Sequence, residues 1–461
     1  MSANSNEGQE LKRGLKNRHI QMIALGGAIG TGLFYGSATT IQQTGPSITL
    51  AYVIGGLIIF FIMRALGEMS VDNPVSGAFS HYAYENWGKF PGFLSGWNYW
   101  FNYIVVSMAE LSVVGIYVNY WFPSIPTWLS SLIFLVVITL VNLISVKLFG
   151  EFEFWFAIVK VIAIIALIVL GIFMIFTGIG NGGQSTGFSN LWEHGGFFPH
   201  GAKGLLFSLV MVMFSFGGVE LIGITAGEAD DPSKSIPKAI NQVVYRILIF
   251  YIGALGVMMT IFPWDKLGES GSPFVEIFSK IGIPAAAGIL NAVVLTAAVS
   301  AYNSGLYSNG RMLHGLALQG NAPKALAKVS KNGTPVVGVL ASSALTLVAV
   351  VLNYFMPGKV FAYLISIATI AGIINWTMII ITQLKFRKAK GAEEVNKLRF
   401  KMPLHPISSY ICLAFMAMVV VLMAIMPDYR IAVIIGPIWI LVLYIAFKLK
   451  NGASKKANNN K

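Results

Sequence analysis

Within the first long apolar run of the chain, residues 20–41, the sequence reads Gly26-Gly27-Ala28-Ile29-Gly30-Thr31-Gly32-Leu33-Phe34. A membrane-spanning helix needs about 20 apolar residues, and here four glycines and a threonine stand in the middle of one. Glycine is a poor helix former and lets other groups approach the backbone closely. Because an unpaired backbone group is costly in lipid, broken helix persists at membrane depth only where it is buried in protein or lines a cavity. The run therefore indicates a binding site.

A second glycine break occurs in the other half of the chain, in the run Phe214-Ser215-Phe216-Gly217-Gly218-Val219-Glu220. A pair of interrupted spans in corresponding positions of two halves is typical of a transporter site. The glycines could instead serve close helix packing, because Gly26 and Gly30 have small-xxx-small spacing. The carboxylate of Glu220 beside the second break favours a site.

The composition is that of an integral membrane protein. Of 461 residues, 56% are hydrophobic and 11% are charged, against about 25% charged in soluble chains. The single cysteine, Cys412, rules out a disulfide within the chain and a cysteine metal cluster. No HExxH, CxxC or Walker motif is present. We therefore predict no enzyme activity, no catalytic or metal-binding residue, no cofactor and no nucleic-acid partner, despite a net charge of +13.

About twelve apolar runs are long enough to span a membrane, which predicts an all-α integral membrane fold. They cover residues 20–41, 47–66, 93–121, 128–146, 154–176, 204–225, 245–262, 283–307, 335–354, 360–384, 407–426 and 431–447. With the N-terminus in the cytoplasm, 26 of the 32 lysines and arginines fall on the inner side and 5 on the outer side. This bias agrees with the positive-inside rule and predicts a multi-pass plasma-membrane protein with both termini in the cytoplasm.

The runs also divide the chain. We predict a cytoplasmic N-terminal tail (1–19), a ten-helix transport core (20–385), a cytoplasmic loop (386–406), two peripheral helices (407–447) and a cytoplasmic C-terminal tail (448–461). The oligomeric state is left open by the sequence.

Three ionisable residues fall within the spans, where a charge is costly and points to function. Burial disfavours the charged form of Glu220, so this carboxyl could exchange a proton, or it could pair structurally with a neighbouring helix. Lys160 could take part in coupling or could extend its ammonium to the membrane interface. Glu110 is interpreted as a packing or network residue rather than as a substrate contact.

Several motifs together resemble the amino acid transporter family of the amino acid–polyamine–organocation superfamily. They are RGLKNRHIQ (13–21) leading into GGAIGTGLF, ALGEM (65–69), EFWFA (153–157), FSFGGVE (214–220), and GEA (227–229) followed by IPKA (236–239). The similarity covers about residues 11–387. Within the family, GITAGE (223–228) and RMLHG (311–315) resemble the bacterial proline- and histidine-type permeases.

The resemblance implies ten core helices in two inverted five-helix repeats with spans one and six broken, plus two peripheral helices. It also implies that amides of Thr31 and Gly32 face the substrate carboxylate, while the carbonyl of Ala28 and carbonyls near Phe216 and Gly217 take the amino group. Phe214 falls at an aromatic gate. The implied substrate-binding set is Ala28, Ile29, Gly30, Thr31, Gly32, Phe214, Phe216, Gly217 and Gly218.

The resemblance also suggests how transport is driven. Lys160 matches a lysine that stands in the place of a sodium ion in proton-coupled relatives, so Lys160 and Glu220 are the proton-coupling candidates. We expect unwound carbonyls near residues 24–27 to accept from Lys160, and the rings of Phe214 and Phe216 to form apolar walls.

We therefore predict a secondary active transporter that imports a neutral L-amino acid by proton symport. An exchanger or a cationic amino acid permease is the alternative. A channel would need rings of polar pore-lining residues, and the paired breaks favour an enclosed site instead. The expected partners are the amino acid, protons and the lipid bilayer; which amino acid is carried stays open.

Overall fold

The computed structural model describes residues 18–19, 21–22, 29–75, 77–178, 183–226, 231–267, 272–280, 284–356 and 359–459, and these parts of the chain contain no β-strand. The first half forms α1 (Thr31–Phe34), α2 (Gly36–Thr44), α3 (Ile48–Asp72), α4 (Ala78–Asn86), α5 (Lys89–Asn119), α6 (Thr127–Ile144), α7 (Val146–Thr177), α8 (Gly201–Ser215) and α9 (Leu221–Thr225). The second half forms α10 (Pro232–Arg246), α11 (Ala254–Ile261), α12 (Pro273–Lys280), α13 (Pro284–Leu318), α14 (Val336–Phe355), α15 (Val360–Lys397), α16 (Ile407–Ile425) and α17 (Pro427–Asn459).

Short irregular segments join some of these helices. A 3₁₀ turn, Gly45–Ser47, connects α2 to α3, and a π-helical segment, Ile247–Gly253, connects α10 to α11. The chain turns at the first joint, where Gly45 has φ +64° and ψ −147°. Helix continues through the second joint, so α10 and α11 form one long apolar segment.

The described residues contain ten helical segments long and apolar enough to cross a membrane. Each overlaps one of the predicted apolar runs other than the first and the sixth. Those two runs are the interrupted ones: the sixth contributes only the shorter apolar helix α8, and the first is non-helical at Ile29 and Gly30. The all-helical membrane fold is confirmed, and the sequence correctly marks which runs are not continuous helices.

Helix α7 shows how one span is divided between lipid and protein. Its buried residues recur every three or four positions: Glu153, Ala157, Lys160, Ile164, Leu167, Gly171 and Ile175. Residues at this spacing share one helix face. Trp155, Ile162 and Phe176 on other faces are exposed, as a lipid-facing surface requires. The two charged residues on the buried face therefore point into the bundle.

Three long helices surround the interrupted spans. Helix α5 packs along both α13 and α15, and α8 packs against α2 and α3. Helix α16 lies against α15 and α3, and α17 lies against α15 and α5. Helix α16 also contacts α8.

Helix ends differ from the predicted segment limits in three places. Helix α15 continues past residue 385 to Lys397, with a non-helical kink at Gly391, and α17 continues past residue 447. Arg18 and His19, predicted to belong to the N-terminal tail, are helical, and both contact Glu151 of α7. The remainder of the tail lies outside the described residues.

Candidate functional site

The first break exposes backbone at the start of α1. Gly30 is extended, with φ −113° and ψ −162°, and its carbonyl accepts from the amides of Leu33 and Phe34. Thr31 and Gly32 supply the first amides of the helix, which have no intrahelical acceptor. Ala28, and residues 24–27 whose carbonyls we expected beside Lys160, lie outside the described residues.

The second break is a turn between α8 and α9. Helix α8 ends at Ser215, the amide of Gly217 donates to the carbonyl of Phe214 at 2.9 Å, and α9 begins at Leu221. Gly218 has φ +99°, a conformation that only glycine adopts without strain. The glycine at this position is therefore required by the turn itself.

The two breaks touch through backbone. A Cβ atom added to Gly32 would lie 2.8 Å from the Cα atom of Ser215, which is closer than real atoms approach. The absence of a side chain at Gly32 therefore lets the two breaks approach closely. At Gly30 an added Cβ would instead meet a side-chain atom, Oε1 of Glu110, at 3.0 Å.

A cavity lies where the breaks meet α5, α13 and α15. Residues of both interrupted spans contribute to its wall: Gly30, Gly32, Met213, Phe214, Ser215, Gly217, Gly218, Glu220 and Leu221. The three long helices add Asn102, Tyr103, Val106, Glu110, Ala301, Ser304, Ala368, Thr369, Gly372 and Trp376. Five of the predicted substrate-binding residues, together with Glu220, therefore line one cavity.

Glu220 forms part of that wall and is fully buried. Its Oε1 atom accepts from the hydroxyl of Tyr103 at 3.3 Å, and its Oε2 atom accepts from the indole nitrogen of Trp376 at 3.4 Å. The carboxylate thus joins the second break to α5 and α15, and both of its donors also line the cavity.

Glu110 lies against the first break, in the cavity wall. Its carboxyl is buried and interacts with the side chain and the backbone of Thr31, the first residue of α1. Glu110 therefore connects α5 to the first break at the edge of the cavity. The interpretation of Glu110 as a packing or network residue stays a prediction.

Lys160 is completely buried, so the alternative that its ammonium reaches the membrane interface is excluded. Its Nζ atom donates to the carbonyl of Ile29 at 3.2 Å and to the hydroxyl of Ser300 at 2.9 Å. Ser300 in turn donates to Oε1 of Glu153 at 2.5 Å. These contacts join the first break to α7 and α13. They bring together one basic side chain, Lys160, and one acidic side chain, Glu153.

Phe216 does not fill the role expected for its ring. Phe214 lines the cavity, but the ring of Phe216 packs between Tyr52 and Tyr251, with centroid distances of 5.7 and 5.0 Å. Two positions on a helix differ by about 200° around its axis, and α8 runs almost to Phe216. One ring therefore faces the cavity and the other faces α3.

Sequence reasoning missed the contributions of the long helices. Asn102 and Glu110 both line the cavity and stand eight residues apart in α5, about 80° around the helix axis, so they share one helix face. Such a polar stripe in an apolar span is a signal that could have identified the wall of the cavity. Glu153 offers a weaker signal, because only its spacing of seven from Lys160 places both on one face.

The described residues contain no group of three or more histidine, cysteine, aspartate or glutamate side chains that could hold a metal ion. A bundle of membrane-spanning helices around a partly polar cavity, bounded by two interrupted spans, defines a membrane carrier for a small polar molecule.

Comparison with known proteins agrees with this class. The family model for amino acid permeases matches residues 19–460. The uncharacterized amino acid permease YtnA of Bacillus subtilis (strain 168) is 54% identical over 456 residues, covering 98% of each chain. The aromatic amino acid transport protein AroP of Escherichia coli (strain K12) is 54% identical over 455 residues, covering 99% of each chain. AroP of Escherichia coli O6:H1 is 55% identical over 448 residues, covering 97% of this chain and 98% of the relative.

The chain belongs to the amino acid permease family. It is therefore an amino acid transporter of the plasma membrane and not an enzyme, as the sequence predicted. The AroP relatives are named as aromatic amino acid transport proteins, whereas the short motifs of this sequence resemble the proline- and histidine-type permeases.

Proposed function

We propose that this permease imports a neutral L-amino acid with an aromatic side chain, together with a proton. The observation that carries the proposal is the cavity between the two breaks, where the aromatic residues Tyr103, Phe214 and Trp376 meet two buried carboxyls, Glu110 and Glu220. Ligand sites of this kind combine apolar walls with a few placed polar groups.

The walls support an aromatic, uncharged side chain. Aromatic rings pack favourably against one another in edge or offset arrangements, and the closely similar AroP proteins are named as aromatic amino acid transporters. Both oxygens of Glu220 already accept hydrogen bonds from Tyr103 and Trp376. This carboxylate is therefore less available to pair with a lysine or arginine substrate.

The breaks supply groups for the common part of an amino acid. We assign the substrate carboxylate to the amides of Thr31 and Gly32, with Gly30 leaving room for its approach. The amino group would be taken by carbonyls at the second break, near Phe216, Gly217 and Gly218, and by the carboxyl of Glu110, which lines the same cavity. Ala28 remains a proposed contact.

Proton coupling is assigned to Lys160, with Glu220 as a second proton-sensitive point. Protonated Lys160 holds the carbonyl of Ile29 and so favours the substrate-binding shape of the first break. On deprotonation the nitrogen keeps fewer N–H donors, and the hold weakens. The first break thus has two conformations, one held by Lys160 and one released. A proton changes the substrate affinity in proportion to the difference between the proton affinities of these two conformations.

The membrane arrangement is proposed on charge. We propose cytoplasmic termini, because the basic loops lie on that side in this orientation. The transport core would consist of two inverted five-helix repeats, with α16 and α17 peripheral to them.

A competition assay tests the proposed substrate. Uptake of labelled phenylalanine into proteoliposomes is measured against an excess of unlabelled tryptophan, tyrosine, alanine, proline, histidine, lysine or arginine. We expect the aromatic amino acids tryptophan and tyrosine to inhibit phenylalanine uptake most strongly. Stronger competition by lysine or arginine would favour the cationic alternative, and uptake that needs substrate on the other side would favour an exchanger.

A further inference from the structure

A second, open groove lies on the side of the bundle, away from the transport cavity. Its wall includes Phe93, Trp97 and Trp100 from α5, and Trp439, Leu443 and Lys450 from α17. The loop that follows α13 completes it at Asn321, and none of its lining residues is acidic. The groove is therefore apolar along its length and positively charged at one end.

The charged end is organised by hydrogen bonds. The Nζ atom of Lys450 donates to the side-chain oxygen of Asn321 at 2.7 Å, and the indole nitrogen of Trp97 donates to the Asn321 carbonyl at 3.1 Å. An ammonium carries three N–H donors, so Lys450 keeps donors for a further acceptor. Lys89, the exposed first residue of α5, precedes Phe90, whose ring packs against Phe447 of α17 with a centroid distance of 5.3 Å. A second positive charge therefore lies near this end of the groove.

The apolar part of the groove has the depth of one lipid leaflet. Eleven residues separate Trp439 from Lys450 along α17, a rise of about 16 Å at 1.5 Å per residue. One leaflet of the hydrocarbon core measures about 15 Å. Trp439 lines the deep end, and its indole N–H has no hydrogen-bond partner among the described residues. The charged end then falls at the level of the lipid headgroups.

We propose that this groove binds one anionic phospholipid. An acyl chain lies along the aromatic wall formed by α5 and α17, and the phosphate accepts from Lys450 near Lys89. Charge complementarity decides the occupant, because a zwitterionic lipid or an apolar surface of a second copy would gain little from two lysines at the rim. The lysines lie on the basic side of the protein, which the positive-inside rule assigns to the cytoplasmic leaflet.

Native mass spectrometry of the purified full-length protein tests this. The protein is stripped of lipid and titrated with phosphatidylglycerol or with phosphatidylcholine of the same acyl chains. Each lysine near an anionic lipid contributes roughly fivefold to binding. We therefore expect the protein to retain phosphatidylglycerol on the order of twentyfold more tightly, and Lys89→Gln with Lys450→Gln to remove most of that preference.

Two further variants separate charge from groove. Lys147→Gln with Lys388→Gln changes two exposed lysines outside the groove wall and should leave the preference unchanged. Ala446→Trp fills the groove and should weaken retention of both lipids by at least fivefold. Equal retention of the two lipids by the unmodified protein would overturn the proposal. So would an equal loss in the Lys147/Lys388 variant, or a lipid-free dimer that Ala446→Trp dissociates.

Discussion

The Nζ atom of Lys160 lies 3.2 Å from the carbonyl oxygen of Ile29, at the break in the first span. The same atom contacts Ser300 of α13, which binds Glu153. A single side chain therefore connects unwound backbone, two long helices and a buried carboxylate. A change in its protonation alters hydrogen bonds at the break that borders the cavity.

Replacement of Lys160 should uncouple transport from the proton gradient. We expect proteoliposomes with Lys160→Ala to accumulate at least tenfold less substrate in response to a pH gradient than those with the unmodified protein. The reason is that the carbonyl of Ile29 loses its titratable donor. Lys147→Ala is the matched control, since this lysine is exposed on the same helix. Undiminished accumulation in Lys160→Ala would assign the lysine a purely structural role.

Glu153 should be needed for stability because it balances the buried charge of Lys160. We expect Glu153→Gln to destabilise the protein by about 3 kcal/mol, as removal of one partner of a buried pair does, and to lower the detergent-solubilised melting temperature. The double variant Lys160→Met with Glu153→Gln should recover the melting temperature but not pH-driven uptake. If the double variant melts no higher than Glu153→Gln alone, the two charges do not compensate each other.

The two glycines of the first break should respond differently to a methyl group. Gly32→Ala pushes against the backbone of Ser215 and should lower stability by about 1–3 kcal/mol as well as uptake. Gly30→Ala presses only on the end of the Glu110 side chain and makes an ordinary contact with Ala301. It should lower substrate affinity, on the order of tenfold, without changing the melting temperature. Gly256→Ala is the control, because its added atom has only an ordinary contact at 3.9 Å. Equal melting temperatures for all three variants would contradict the close approach of the two breaks.

Gly372 should set the size of side chain that the cavity accepts. It lines the cavity, and an added Cβ would meet only the Asn102 amide nitrogen at 3.8 Å. Gly372→Val should therefore fold but occupy substrate space, lowering phenylalanine uptake roughly tenfold or more while sparing alanine. Gly288→Val, also on a helix but outside the cavity wall, should change neither. Equal losses for alanine and phenylalanine would show that Gly372 does not act on side-chain size.

The sequence predicts the two interrupted spans of this site better than it predicts the side chains that form the rest of the cavity wall. Glycine and charge inside an apolar run are local signals, so the two breaks, Lys160 and Glu220 can be identified without a structure. The partners of these residues come from distant spans: Tyr103 is 117 positions from Glu220, and Ser300 is 140 positions from Lys160. Pairing at that distance depends on helix packing, which hydropathy does not encode.

The direction in which a side chain points is equally hard to obtain from the sequence. Phe214 and Phe216 are both apolar residues beside the same glycines, yet only the first lines the cavity. Which of the two rings lines the cavity depends on the exact residue at which α8 ends. The position of Glu110 against Gly30 likewise cannot be read from the sequence, because it depends on how α5 packs across the first break.

The most direct test of the account is uptake of labelled phenylalanine into sodium-free proteoliposomes with an acidic exterior and an alkaline interior. We expect accumulation above the external concentration, which a protonophore abolishes and which sodium does not increase. The Lys160→Ala protein should only equilibrate the amino acid across the membrane. Accumulation that requires an inward sodium gradient, or uptake indifferent to the pH gradient in the unmodified protein, would contradict proton coupling through Lys160.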